Sequence, residues 1–114
     1  MIEITLPFPP SVNTYWRNFN GRTILSAKGR EYRLAVEFQL HKQRLPKLTK
    51  KLKVEIEAFR PDNRRRDLDN LFKAPLDALG HAGIYDDDSQ IVDLRIYWAE
   101  DKGGILKIKI EELP

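Results

Sequence analysis

Four stretches of alternating apolar and polar residues, spread along the chain, constrain the fold more than any other feature. Ile2, Ile4, Leu6 and Phe8 alternate with Met1, Glu3, Thr5 and Pro7, and the pattern stops at Pro9-Pro10. Val54, Ile56 and Ala58 keep the same period, as do Val92, Leu94, Ile96 and Trp98, and Ile108 and Ile110 beside Lys107 and Lys109. A period of two puts one residue set on one face of a strand, so the chain holds four strands with an apolar face each. Those faces need cover, and the segments between the strands must supply it.

Two of those segments have helical spacing. Ser26 is a candidate N-cap for a helix near residues 27–44, with Leu34, Ala35 and Phe38 on one face and Gly29 weakening the first turn. Leu68, Leu71, Phe72, Leu76 and Leu79 predict a second helix over about 68–81, ended by Gly80 or Gly83. Pro75 must kink it or delay its start, because proline lacks the N–H and its ring clashes with the carbonyl four residues back. Lys102-Gly103-Gly104 between the last two strands predicts a tight hairpin. The expectation is an α+β fold, one domain over residues 1–114, with a four-stranded mixed sheet and two main helices.

Composition removes several functions. The chain has no cysteine, which excludes thiolate catalysis, disulfides and Cys-based zinc sites. The opening MIEITLPF has neither a basic nor an apolar signal region, and no apolar run is long enough to span a bilayer, so a cytoplasmic protein without a membrane partner is expected. Residues 1–50 carry nine Lys/Arg against three Asp/Glu, and residues 51–114 carry eleven against fourteen. A basic half suits either a polyanionic partner or a solvated helix face.

The stretch RRRDLDNLFK, residues 64–73, sets charges of both signs side by side. Asp67 occupies an N-cap position, Asp69 can pair with Lys73 at i,i+4, and the arginines can solvate a loop; each reading is purely structural. A second reading joins them. Magnesium takes oxygen ligands in an octahedral shell and promotes displacement at phosphorus, so Asp67 and Asp69 are candidate ligands. Arg64, Arg65 and Arg66 can then hold flanking phosphates through forked hydrogen bonds, and Lys73 can neutralise charge that grows on the reacting group. Further acids come from Asp86, Asp87 and Asp88 in IYDDDSQ, which also reads as an exposed acidic turn.

Distance tests whether the two acidic segments meet. A helix over 68–81 is roughly 21 Å long, and six extended residues span roughly 20 Å. Either residues 82–87 run back along the helix, or the loop over 60–67 brings Asp67 down beside Asp88. Elsewhere, Asn13 and Arg17 are candidate nucleic-acid contacts in a stretch where Tyr15 and Trp16 can stack on bases or anchor a loop on the core. His41 and His81 have no partner at ligand spacing and read as structural. There is no Ser-His-Asp arrangement and no phosphate-cradling glycine loop, so no nucleotide cofactor is expected.

RRRDLDNLFK, LDALGHAGIYDDDSQIVD and LPFPPSVNTYWR together resemble the RusA-type Holliday junction resolvases, over nearly the whole chain. The resemblance implies a homodimeric, metal-dependent endodeoxyribonuclease that resolves four-way branched DNA by paired symmetric nicks. It implies that Asp67, Asp69 and Asp88 hold Mg2+, with Mn2+ able to substitute, that Lys73 is catalytic, and that Asp87 is a possible additional acid. Asp86 departs from the family's acidic pair. A non-catalytic nucleic-acid-binding module and a metal-dependent RNA nuclease are the alternatives, because carboxylates and arginines do not by themselves distinguish DNA from RNA.

Overall fold

The computed structural model describes residues 1–114. In chain order the elements are β1 (Ile2–Pro7), a single-turn helix α1 (Val12–Tyr15), β2 (Trp16–Phe19), β3 (Arg22–Leu25), α2 (Ala27–His41), β4 (Leu52–Phe59), α3 (Lys73–His81), β5 (Ile91–Trp98) and β6 (Ile105–Glu112). Single 3₁₀ turns, Leu68–Asn70 and Asp88–Gln90, precede α3 and β5. The main sheet has the order β1-β6-β4-β5; β4 and β5 run parallel and the other pairs antiparallel. The sheet is therefore four-stranded and mixed, as expected.

Register aligns the apolar sets into rows. Ile4, Ile108, Ile56 and Ile96 are cross-strand neighbours, as are Ile2, Ile110, Val54 and Leu94. Residues directly opposite in a ladder touch, so each row forms a continuous apolar strip. Helices α2 and α3 lie together over it, and Ile56, Val36, Ala78 and Leu79 are fully enclosed. The parallel β4–β5 pair requires a crossover, and the segment from the first 3₁₀ turn through α3 provides it.

Three sequence expectations are corrected. The apolar face of α2 is Tyr32, Val36 and Leu40, not Leu34 and Phe38, which are each 65% exposed. Arg33, Glu37 and other polar residues interleave with both sets, so composition does not choose the buried stripe. Gly29 does not merely weaken α2: a Cβ there would lie 2.5 Å from the Tyr15 carbonyl, so only glycine allows α1 to approach. Finally, Lys102-Gly103-Gly104 does not close a hairpin, because β6 pairs with β1 and β4 and not with β5. Instead the segment crosses the end of β4, where the Gly103 and Gly104 amides donate to the Arg60 and Phe59 carbonyls, both at 3.0 Å.

Where the structure meets the sequence reading, the causes are local. The Ser26 hydroxyl accepts from the Gly29 amide at 3.0 Å, as an N-cap should. Pro75 lies in the first turn of α3, where its missing N–H costs nothing, and the helix accordingly begins at Lys73 and not at Leu68. The β2–β3 hairpin is an addition to the four expected strands. Its turn, Asn20-Gly21, has the positive φ values of 50° and 75° that this dipeptide favours.

Candidate active site

The loop that leaves β4 is built around Asp62. Its carboxylate accepts from the Arg64 amide at 2.9 Å, from the Arg64 side chain at 3.1 and 3.0 Å, and from Arg66 Nη1 at 2.7 Å. Those donors, the Arg66 guanidinium first, hold the Asp62 carboxyl well below the usual carboxylate range. Arg66 also lies 5.4 Å over the Phe8 ring, Phe8 stacks on Trp98, and Arg60 covers Trp98 at 4.0 Å. This column fixes the loop against the ends of β1 and β5. Nothing local to RRRDLDNLFK singles out Asp62, Phe8 or Trp98, because their roles depend on contacts between distant segments.

The arginines consequently divide. Arg64 and Arg66 form ion pairs with Asp62, whereas Arg65 makes no ion pair and is exposed. Arg65, Arg66 and Asp67 line a cavity of about 530 Å³ together with Phe8, Ser11 and Asn70. Both a cation and an acid therefore border that space.

Beyond the arginines the carboxylates are bare. Asp67 precedes the 3₁₀ turn but makes no side-chain capping bond, so the cap reading fails for it. Asp69 and Lys73 form no salt bridge with each other, although they stand four residues apart; the six ion pairs of the chain lie elsewhere. All three side chains are exposed at the start of α3. Three charged groups held near one helix end, without intramolecular partners, remain available for an external one.

Among the downstream acids, structure distinguishes what adjacency in sequence does not. Asp86 pairs with Lys47 at 2.5 Å. Asp87 accepts from the Ser89 hydroxyl at 2.6 Å, and that bond comes first among the causes that lower its pKa. Asp88 forms no salt bridge and is exposed, beside a small cavity also lined by Asp77, Gly80 and Tyr85.

The expectation that one chain brings Asp88 beside Asp67 is not met. Asp67 borders the cavity at the N-terminal side of α3, Asp88 a different cavity at its C-terminal side. No three Asp, Glu or His side chains converge to hold a metal ion. Shortening the helix to Lys73–His81 does not rescue convergence, because the chain takes neither of the two routes that would close the gap: residues 82–87 turn into β5, and the 60–67 loop is anchored at the Trp98 end. A single chain thus does not fit a magnesium ion with the expected ligand set.

Behind the bare acids, α3 is held by a network. Asp77 accepts from the Tyr15 hydroxyl and from Arg33, whose Nε and Nη2 lie at 2.9 and 2.8 Å. Burial, and then the bond to Asp77, push the Tyr15 hydroxyl well above its ordinary range, so it remains a proton donor. Tyr15 is fully buried and Trp16 packs on the core, which settles the anchoring role of both; Asn13 and Arg17 are exposed around them. Arg17 lies 5.3 Å over Phe19, itself 52% exposed on the β2–β3 hairpin.

Comparison with known proteins places the chain in a family. The family Endodeoxyribonuclease RusA matches residues 7–111. The crossover junction endodeoxyribonuclease RusA of Escherichia coli (strain K12) is 47% identical over 113 residues, 97% of this chain and 94% of its own length. The protein of the same name from Enterobacteria phage HK97 is 44% identical over the same shares of each chain, and that of Enterobacteria phage 82 is 47% identical. With matches that run from β1 to β6, the chain belongs to the RusA family of endodeoxyribonucleases.

Proposed function

We propose that this protein is a structure-specific endodeoxyribonuclease that resolves four-way DNA junctions by paired symmetric nicks, acting in the cytoplasm as a homodimer. Magnesium, or manganese in its place, is the cofactor of this reading. The observation that carries it is the set Asp67, Asp69 and Lys73, bare of intramolecular partners on a rigid element beside an arginine-lined cavity. Family membership supplies the reaction class, and the geometry supports the roles. Arg65 contacts a backbone phosphate, Lys73 offers its ammonium to the charge that develops at the scissile group, and Asn13 and Arg17 hold the flanking strand.

No helix is long and apolar enough to cross a membrane. A binding module whose acids serve as caps loses support, because Asp67 caps nothing and Asp69 forms no ion pair. The experiment is cleavage of a synthetic four-way junction beside linear duplex and structured RNA, with and without magnesium, for the wild type and Asp69→Asn. Paired, magnesium-dependent nicks confined to the junction, lost in a variant that still binds it, are expected. Cutting of RNA in preference to the junction, or binding without cutting under any divalent ion, overturns the proposal.

A further inference from the structure

The β2–β3 ribbon carries an aromatic ring on the side that the fold does not use. Its register sets Trp16 opposite Leu25, Asn18 opposite Thr23, Arg17 opposite Ile24 and Phe19 opposite Arg22. Side chains alternate between the two faces of a strand, so the first two pairs share one face and the last two the other. Trp16 and Leu25 pack on the core. Arg17, Phe19 and Arg22 therefore occupy the outward face, all three exposed, with the Arg17 guanidinium 5.3 Å over the Phe19 ring. Single exposed apolar residues are common on protein surfaces. What sets Phe19 apart is its setting: residues 4–30 include Arg17, Arg22, Lys28 and Arg30 and not one Asp or Glu.

The ribbon is also stiff and close to the arginine-lined cavity. Its foot is fixed where the Ser26 amide donates to the Tyr15 carbonyl at 3.0 Å, and Tyr15 is tied to α3 through Asp77. Its tip is the two-residue Asn20-Gly21 turn, which leaves no slack loop. Ser11 borders the cavity with Asp67, and from Ser11 the chain runs through the single turn of α1 and along β2 to Phe19, a path on the order of 20 Å. That length is about six base steps of a duplex.

We propose that Phe19 selects the branched substrate: its ring stacks on a base exposed at the branch point, while Arg17 and Arg22 hold the flanking phosphates. In a continuous duplex both faces of every base are covered by neighbours, and contacts to phosphates alone do not tell one duplex from another. At a branch the stack is interrupted, so an apolar ring on a stiff basic arm finds a free base face there. Such stacking tolerates any base, because every base has a π-face. The inference rests on the nuclease reading for its substrate, and it leaves the chemistry with Asp67, Asp69 and Lys73.

Binding measured with a chelator present separates selection from cutting. Wild type, Phe19→Ala and Phe19→Trp are titrated against a synthetic four-way junction, a linear duplex of the same arm sequence, and the junction carrying 2-aminopurine beside the branch point. Phe19→Ala should bind the junction about 10-fold more weakly and the duplex equally well, and Phe19→Trp should keep the preference. The 2-aminopurine fluorescence change produced by the wild type should be missing with Phe19→Ala. Because the side chain is exposed, the urea midpoint of Phe19→Ala should match that of the wild type. Unchanged junction affinity in Phe19→Ala, a loss shared equally by junction and duplex, or a 2-aminopurine response the same in Phe19→Ala and the wild type overturns the proposal, as does a wild type with no preference for the junction. Should the wild type bind the junction selectively yet cut nothing with magnesium, the proposed function fails, and the same titrations still decide the role of Phe19.

Discussion

Asp62 and Asp67 flank the same run of arginines, yet one carboxylate is saturated with donors and the other has none. The first fixes the loop by consuming the charge of Arg64 and Arg66; the second, with Asp69 and Lys73, is left open. The same contrast recurs along α3, where Asp77 is tied to Tyr15 and Arg33 while Lys73, one turn earlier, is free. Charge that is neutralised within the chain holds the fold, and charge without a partner remains for an external ligand. Sequence shows both kinds identically.

The sharpest test of that contrast is on the open side. Asp69→Asn should lower junction cleavage by about 10³-fold or more, the scale of losing a reacting group, while stability shifts by less than about 0.5 kcal/mol. Gel-based cleavage and urea denaturation on the same preparation read both. A large loss of stability would make Asp69 structural and break the contrast.

On the closed side, Asp77→Ala strands Arg33 and the Tyr15 hydroxyl and should cost about 2 kcal/mol by urea denaturation, with cleavage following the folded fraction. The alkaline limb adds a sign. Because the folded pKa of Tyr15 is raised, its contribution to stability is intact below the ordinary tyrosine range, near pH 10, and is lost as pH climbs beyond it towards the folded value. The wild type should lose that increment at alkaline pH, and Asp77→Asn should show a shallower loss.

Asp62→Asn should have a smaller effect, confined to acid. The lowered pKa of Asp62 means its contribution is present above about pH 4 and disappears as pH falls through the folded value. Unfolding curves of wild type and variant should therefore differ at neutral pH and converge in strong acid. Amide exchange at Arg64 should also quicken in the variant, since that amide donates to Asp62.

Smallest are the arginines. Arg65→Gln should weaken junction binding and reduce the slope of log affinity against log salt by about one, the signature of one lost phosphate contact. Arg64→Gln should change the slope less, because its guanidinium is already engaged. Equal slopes would show that DNA competes successfully for the charge held by Asp62.

Much of the fold is legible in the sequence because strand periodicity is a local property: each of the four main strands declares its inward face over a few residues. Ser26 and Pro75 are likewise readable, since a cap and a ring clash act within one helical turn. Leu34 and Phe38 mislead because an amphipathic stripe is defined by what covers it, and α1 and α3 cover the other side of α2. The glycines before β6 have turn chemistry whether they close a hairpin or step across β4; strand order decides between them, and strand order is not local.

At the candidate site, the sequence by itself determined the chemical inventory: two alternating acids, a lysine four residues on from Asp69, a basic run before them and a further acidic segment. Only the tertiary structure decided which of those charges are free. Pairing energy depends on distance between groups remote in the chain, so Lys47 could remove Asp86, and Ser89 could occupy Asp87, while Asp88 was left open. Separation of the two acidic segments was also a tertiary outcome, because the crossover that connects parallel strands must return along the sheet and so sets its two ends apart.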